Sequence, residues 1–156
     1  MTYQIYTGQA GALSHFTLTE KTLPPPAAQE VQVNVQAVGL NFADVFAIWG
    51  LYGATPEGEF TPGLEYAGEV TAVGSEVNTH QVGDRVMGVT RFGGYTTGIN
   101  SDHRYVIPLP QKWSYAQGAA YLVQVLNALA QLRGVSPQTL ARSSTAVARQ
   151  FFWHNA

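Results

Sequence analysis

The sequence predicts a mainly β domain, a curved antiparallel barrel with a few helices rather than a helix bundle. The first observation lies in residues 62–88, where five glycines punctuate two short runs rich in β-branched residues. These runs, residues 69–73 and 84–87, are predicted strands joined by a tight reversal at residues 82–84, and the glycines permit positive φ or close strand approach. The second observation is the alternation of valines with polar residues over positions 30–37, which is typical of a strand with one buried face.

The first part of the chain is predicted as a hairpin followed by this strand. Residues 3–6 and 15–19 alternate in polarity and are separated by glycines, which favours a hairpin at a sheet edge. In the strand that begins at residue 30, the apolar residues change from odd to even positions around Gly39, so we expect a bulge or bend at that residue.

A short helix is predicted after this strand. Apolar side chains recur at i, i+3, i+4 and i+7 from residue 42 to residue 49 and form one continuous face. We expect Asn41 to cap this helix and Gly50 to end it. Asn41 and Asp44 are three residues apart and share a stripe beside the apolar one. Spacing alone favours structural roles for both, as an N-cap and as an acid near the positive helix end.

The second part of the chain is predicted to add two strands and two helices. Residues 92–97 turn into a strand, and residues 104–107 form a further strand before two prolines. A capping box at residues 114–117 begins the longest helix, which we expect to end at Gly134. Ser136 is followed by proline and begins a second predicted helix.

Composition excludes several classes of function. The formal net charge of −2 gives no field that would recruit nucleic acid. No apolar run approaches the length of a membrane span, and the N-terminus lacks the pattern of a secretory signal, so the expected compartment is cytoplasmic. The sequence has no cysteine, which excludes disulfides, thiolate nucleophiles and cysteine-ligated zinc.

No motif in the sequence predicts a catalytic or metal site from spacing alone. The four histidines are scattered without His-x-x-x-His spacing, and we expect each to be a surface or loop residue. No G-x-G-x-x-G is present. Glu65 and Glu69 are four apart, but they lie in a predicted strand, where they would not face one substrate as an acid/base pair.

Five short motifs occur in a fixed order: VGLNFAD at 38–44, GLY at 50–52, PGLEYAG at 62–68, VG at 73–74 and GDRV at 83–86. Together they resemble the medium-chain dehydrogenases/reductases, most closely the zinc-independent quinone oxidoreductases, including the synaptic-vesicle-protein-like group. The resemblance covers about residues 1–134. It implies an N-terminal GroES-like catalytic domain, a partly open and strongly bent β-barrel with a few helices, without a complete Rossmann domain.

The resemblance also implies a site. The zinc-dependent branch has cysteine where Asn41 stands and histidine where Leu64 stands, so this chain is expected to bind no zinc. In the zinc-free branch, residues matching Asn41, Asp44 and Tyr52 line the cleft near the nicotinamide and the bound quinone. The implied catalytic residues are Asn41, through a hydrogen bond, and Tyr52, through a hydroxyl and a ring wall. Asn41 and Asp44 are the implied contacts to NADPH. Glu65 is interpreted as structural.

The implied reaction is hydride transfer from NADPH to a quinone or an α,β-unsaturated carbonyl, in which the cofactor carries the difficult chemistry and the protein positions the two rings. The expected partner is this small molecule, with no nucleic acid and no membrane, and a homodimer is possible. Alternatives are a non-catalytic GroES-like binding module and a chaperonin co-factor.

Two domains are predicted: a GroES-like domain at 1–134 and an atypical helical tail at 135–156. All ten acidic residues lie at or before Asp102, and the tail contains neither acid nor glycine. The family continues into a parallel α/β domain with a glycine-rich dinucleotide turn, which this sequence lacks. We therefore expect a truncated or frameshifted dehydrogenase chain that is inactive alone.

Overall fold

The computed structural model describes residues 2–125 together with Ala128 and Gly134. The chain divides into two compact units, Met1–Ala120 and Tyr121–Ala156, and the architecture below is that of the first. The predicted helix from Ser136 lies outside the described residues, and the predicted domain boundary after Gly134 stays a prediction. The elements are β1 (Thr2–Gln9), β2 (Phe16–Thr22), β3 (Glu30–Val38), α1 (Phe42–Ile48), β4 (Glu59–Phe60), β5 (Glu65–Val73), β6 (Arg85–Val89), β7 (Gly98–Asp102), β8 (Val106–Pro108) and α2 (Tyr115–Ala119).

The mainly β prediction is confirmed, and the strands described form two antiparallel sheets rather than one closed barrel. The smaller sheet has the order β2-β1-β4. Its β1–β2 pair is the predicted hairpin, with β2 at the sheet edge. The larger sheet has the order β7-β3-β5-β6-β8.

The main core lies on one face of the larger sheet. Val31, Val33 and Val35 of β3 are buried, which confirms the predicted alternation. They pack with buried side chains of three neighbouring strands, namely Tyr66, Val70, Val86 and Val106.

The expected irregularity at Gly39 occurs earlier in the chain. The register of β3 against β5 shifts between Gln32 and Val33 and again between Val35 and Ala37, whereas Gly39 lies just past the strand. A Cβ at Gly39 would stand 2.2 Å from the carbonyl oxygen of Ala119. The glycine therefore permits close packing against α2 and does not make a bulge.

Strands β5 and β6 form the predicted pair, and the turn before β6 contains Gly83 with φ +92°. The strand predicted at 104–107 is only partly correct. Residues His103–Tyr105 form a 3-10 turn, because the Asp102 carboxylate accepts a hydrogen bond from the Arg104 N–H at 3.0 Å, and β8 begins only at Val106.

Helix α1 has the predicted limits but presents an unexpected face to the sheets. Asn41 is its N-cap, and Gly50 follows its C-cap with φ +74°. The buried residues of α1 are Asp44, Ala47 and Ile48. The apolar stripe that spacing identified in the sequence faces outward.

The capping box predicted for α2 is confirmed, since the Ser114 N–H donates to Gln117 Oε1 at 2.9 Å and the Gln117 N–H donates to Ser114 Oγ at 3.2 Å. A single helix through Gly134 is wrong, because α2 ends at Ala119 and residues 122–125 are helical again. Gly118 is buried against Leu109 and is a weak helix former, which favours an end of α2 near this residue. Among the described residues, no helix is long and apolar enough to cross a membrane.

Candidate functional site

The start of α1 brings Asn41 and Asp44 together in a buried polar network. Asp44 is 2% exposed. Its Oδ2 accepts hydrogen bonds from the Asn41 N–H at 2.8 Å and from the Tyr95 hydroxyl at 3.0 Å, and its Oδ1 accepts from the Gly63 N–H at 3.2 Å. The carboxylate therefore joins the N-terminus of α1 to the segment before β5 and to the segment before β7.

The electrostatics of this network identify Asp44 as a hydrogen-bond acceptor. Burial raises the pKa of Asp44, and the hydrogen bonds from Asn41, Tyr95 and Gly63 only partly oppose that rise. Burial, together with the negative charge of Asp44 and the bond to it, also raises the pKa of Tyr95. Tyr95 thus stays a protonated donor at ordinary pH. The pair can orient α1, because Asp44 accepts hydrogen bonds from Tyr95 and from the backbone N–H of Asn41 at the helix start.

The side chain of Asn41 is held by a residue that sequence reasoning assigned only a structural role. Asn41 is 9% exposed, and its Nδ2 donates to Glu65 Oε1 at 2.9 Å. Glu65 lies at the start of β5 and is 1% exposed. A Cβ at Gly39 would lie 2.4 Å from Glu65 Cγ and 2.6 Å from its Oε1, so the glycine makes the space for this carboxyl group. Neither Glu65 nor Tyr95 is near Asn41 or Asp44 in sequence, and spacing gave no signal for these pairs.

Tyr52 follows α1 and lies in an aromatic cluster. Its ring meets that of Phe92 edge-on, with centroids 6.5 Å apart, and packs beside the buried side chains of Phe16, Ile48 and Phe60. The hydrogen bonds of the Asp44 network do not include Tyr52. The structure thus joins two of the three predicted site residues, Asn41 and Asp44, and places the third, Tyr52, among aromatic and aliphatic side chains.

Two open depressions occur elsewhere on the first unit. One of about 460 Å³ is lined by residues including Thr90, Arg91 and Tyr105, and one of about 390 Å³ lies beside Pro24 and Ile99. Neither lining includes Asn41, Asp44 or Tyr52. Within the described part of the chain, no group of three or more histidine, aspartate or glutamate side chains is placed to hold a metal ion.

A second polar cluster joins two histidines that looked unrelated in the sequence. Thr79 Oγ1 lies 2.9 Å from His80 Nδ1 and 3.1 Å from His103 Nδ1, and the ring centroids are 6.4 Å apart. Burial lowers the pKa of His80, as does the neighbouring His103, while the charge of Asp84 and a hydrogen bond with the Val106 backbone oppose the change. Because a hydroxyl carries one proton, Thr79 donates to at most one of the two rings.

The fold and this site together indicate which class of domain the chain contains, and the match to a known protein family indicates the same class. Residues 27–111 match the alcohol dehydrogenase GroES-like domain. The chain belongs to this family. The predicted family resemblance is thereby confirmed for more than half of the sequence.

The relatives also confirm the quinone oxidoreductase-like branch. The chain is 38% identical over 112 residues to quinone oxidoreductase-like protein 2 of Bos taurus, covering 72% of this chain and 32% of that protein. It is 37% identical over 105 residues to the synaptic vesicle membrane protein VAT-1 homolog of Rattus norvegicus, covering 67% of this chain and 26% of that protein. The chain thus spans between about a quarter and a third of the length of these relatives.

Solved structures show the same relationship. The human VAT-1 homolog-like protein aligns with a TM-score of 0.80 at 27% identity, covering 84% of this chain and 43% of that one. The Escherichia coli quinone oxidoreductase, solved in complex with NADPH, aligns with a TM-score of 0.75 at 32% identity, covering 85% of this chain and 40% of that one.

Proposed function

We propose that this chain is the acceptor-binding, GroES-like part of a zinc-independent, NADPH-dependent reductase of quinones or α,β-unsaturated carbonyls. The observation that supports this most is the likeness to the E. coli quinone oxidoreductase, at 32% identity over 85% of the chain. Asparagine stands at the position where the zinc-dependent branch carries cysteine, and the absence of cysteine from the sequence is consistent with a metal-free reaction.

In this proposal the residues at the start of α1 orient the acceptor. Glu65 holds the Asn41 amide in one orientation through the 2.9 Å hydrogen bond, and a fixed donor is what productive alignment of a carbonyl acceptor requires. Asp44 fixes the backbone of the same turn. Tyr52 supplies an aromatic wall and a hydroxyl, and its packing against Phe92 limits the ring to few orientations.

The cofactor would supply the hydride, but the residues present do not fit a complete dinucleotide site. A pyrophosphate is usually bound by a glycine-rich turn at a helix N-terminus, and no G-x-G-x-x-G occurs in the sequence. The Asp44 carboxylate, one of the two predicted cofactor contacts, is already bonded to three protein donors. We therefore expect the chain to bind an acceptor without binding NADPH tightly.

The experiment compares binding and turnover on the full 156-residue chain. Calorimetric titration with a soluble 1,4-naphthoquinone is expected to show binding, whereas titration with NADPH is expected to show no micromolar affinity. An assay with both compounds should show no quinone reduction above the uncatalysed rate. Tyr52→Phe and Asn41→Ala should weaken quinone binding, and Tyr105→Phe, which alters a tyrosine that is 49% exposed, serves as the matched control.

Two results would contradict the proposal in different ways. Micromolar NADPH affinity would disprove the statement that the chain lacks a dinucleotide site. Absence of naphthoquinone binding at about millimolar ligand, a concentration that corresponds to a binding free energy of only ~4 kcal/mol, would favour the alternative of a non-catalytic binding module.

A further inference from the structure

A depression of about 460 Å³ lies at the opening of the larger sheet. The sheet is not closed, since β7 and β8 are its two edge strands. Residues from both sides of this opening line the depression, from β7, from the end of β6 and from the turn before β8, and they include Val89, Arg91, Ser101, Asp102 and Tyr105. Its volume lies within the ~300–1,000 Å³ that is usual for small-molecule sites.

The uncompensated charge of this depression is positive. Arg91 is exposed and forms no ion pair with any other described residue. The acidic member of the lining, Asp102, is bound by Arg104, whose Nε donates to the two carboxylate oxygens at 2.9 and 3.0 Å. A planar guanidinium binds a carboxylate through two parallel hydrogen bonds. The other depression, beside Pro24, has no basic residue in its lining, so of the two only the first is suited to an anion.

Two buried hydroxyl groups lie behind this charged rim. Ser101, which lines the depression, is 7% exposed, and Tyr66 is 0% exposed. The Tyr66 hydroxyl has no hydrogen bond of normal geometry to any described residue, and a Cβ at Gly88 would stand only 2.5 Å from it. Burial raises the pKa of Tyr66 to about 12, and the neighbouring Ser101 side chain only partly opposes that rise, so Tyr66 stays a protonated donor. Because buried hydroxyls are nearly always hydrogen-bonded, this one indicates a place for a further polar atom beside Ser101.

The wall between the rim and these hydroxyls is apolar. Val89 contributes an aliphatic side chain, and Tyr105 is 49% exposed. The Tyr105 ring packs against no other aromatic ring among the described residues, so its face is open to a flat ligand. Only the ring takes part in this contact, and Tyr105→Phe therefore leaves it intact.

We propose that this depression binds a small aromatic carboxylate whose ring also carries a hydroxyl group. The carboxylate binds the Arg91 guanidinium, the ring packs against Tyr105, and the ligand hydroxyl forms a hydrogen bond with Ser101, in front of Tyr66. An apolar wall with a few converging polar groups is the usual construction of a small-molecule site. This inference goes beyond the proposed reductase function and does not depend on it, because the lining contains none of the residues proposed to bind the quinone.

Titration of the full chain with 4-hydroxybenzoate, followed by two-dimensional amide NMR, tests this site. A dissociation constant of about 1 mM is expected, with the largest shifts at Arg91 and Ser101. The uncharged 4-hydroxybenzamide should bind about tenfold more weakly, because it cannot form the charged pair. Arg91→Gln should weaken binding of the acid by the same factor and leave acid and amide equal. Lys112→Gln is the matched control, since it removes one positive charge from an exposed position outside the lining.

Ser101→Ala provides an independent readout, because it should weaken binding of 4-hydroxybenzoate but not of benzoate, which lacks the hydroxyl group. A misfolded variant would lose both ligands, and far-UV circular dichroism checks that each variant folds. Absence of 4-hydroxybenzoate binding at about 10 mM would overturn the proposal, as would equal effects of Arg91→Gln and Lys112→Gln. Shifts centred on Tyr52 and Phe92, with competition by the naphthoquinone, would place the acid in the proposed acceptor site and also overturn it.

Discussion

Asp44→Asn is the substitution that tests the buried network most directly. The carboxylate presents two acceptor atoms to three donors: Oδ2 accepts from the Asn41 N–H and the Tyr95 hydroxyl, and Oδ1 accepts from the Gly63 N–H. An amide offers one acceptor atom and one donor group in the same space. If the amide oxygen occupies the Oδ2 position, its nitrogen faces the Gly63 N–H, so two donors oppose each other.

The expected loss of stability follows from these contacts. Leaving the buried Gly63 N–H without an acceptor costs ~1–3 kcal/mol. The two remaining hydrogen bonds lose the charge of their acceptor, worth about 1 kcal/mol each, while removal of a buried charge relieves part of this cost. The net loss at pH 7 is therefore about 2–3 kcal/mol of unfolding free energy, a large share of the ~5–15 kcal/mol typical of a domain.

Urea denaturation of both variants at several pH values provides the measurement. Because burial raises the pKa of Asp44 above its ordinary 3.8, the folded state retains this proton at higher pH than the unfolded state does. The stability contributed by that proton is complete below pH 3.8 and is lost as the pH rises through the folded-state pKa. Asparagine has no such proton, so the stability difference between wild type and Asp44→Asn should widen as the pH falls from 7 toward 4.

A control substitution and two possible results decide whether the Asp44 network anchors α1. Asp84→Asn alters a carboxylate that accepts one N–H in a more exposed turn, from Gln81 at 2.9 Å, and should change stability by only about 0.5 kcal/mol. If Asp44→Asn costs no more than Asp84→Asn, the network does not anchor α1. If the difference narrows as the pH falls, burial does not dominate the pKa of Asp44.

Two further substitutions test neighbouring features. Gly39→Ala places a Cβ 2.4 Å from Glu65 Cγ and should lower the free energy of unfolding by ~1–3 kcal/mol. Gly53→Ala is the control and should be nearly neutral, because a Cβ at Gly53 would have no atom within 4 Å. Equal effects of the two substitutions in urea denaturation would refute the packing role of Gly39. Because the folded-state pKa of His80 lies below 6.5, the unfolded chain binds more protons, so stability should fall as the pH drops from about 7.5 to 5.5. His80→Gln should flatten this dependence and His15→Gln should not, and identical pH profiles for the two variants would contradict the assignment.

Local patterns in the sequence were enough to predict the strands and the start of α1. Period-2 alternation, capping residues and the glycines that end an element act over only a few neighbouring positions. The same patterns could not locate Glu65 beside Asn41, since 24 residues separate them and the contact exists only after β3 and β5 pair. Helical spacing found the apolar face of α1 but not its direction. The inner face of α1 instead carries Asp44, Ala47 and Ile48, and the three donors that bind Asp44 come from the helix start and from two distant segments, which helical spacing cannot reveal.

The apolar face of α1 is exposed, so this face contributes little to holding the helix in place. A helix of seven residues is too short to be stable alone, so its position depends on the groups that hold its inner face. Asp44→Asn should therefore lower the free energy of unfolding by more than Phe42→Glu, which alters a side chain that is 84% exposed. Urea denaturation measures both losses, and a Phe42→Glu chain that loses as much stability as Asp44→Asn would show that the outer face of α1 packs within its own chain.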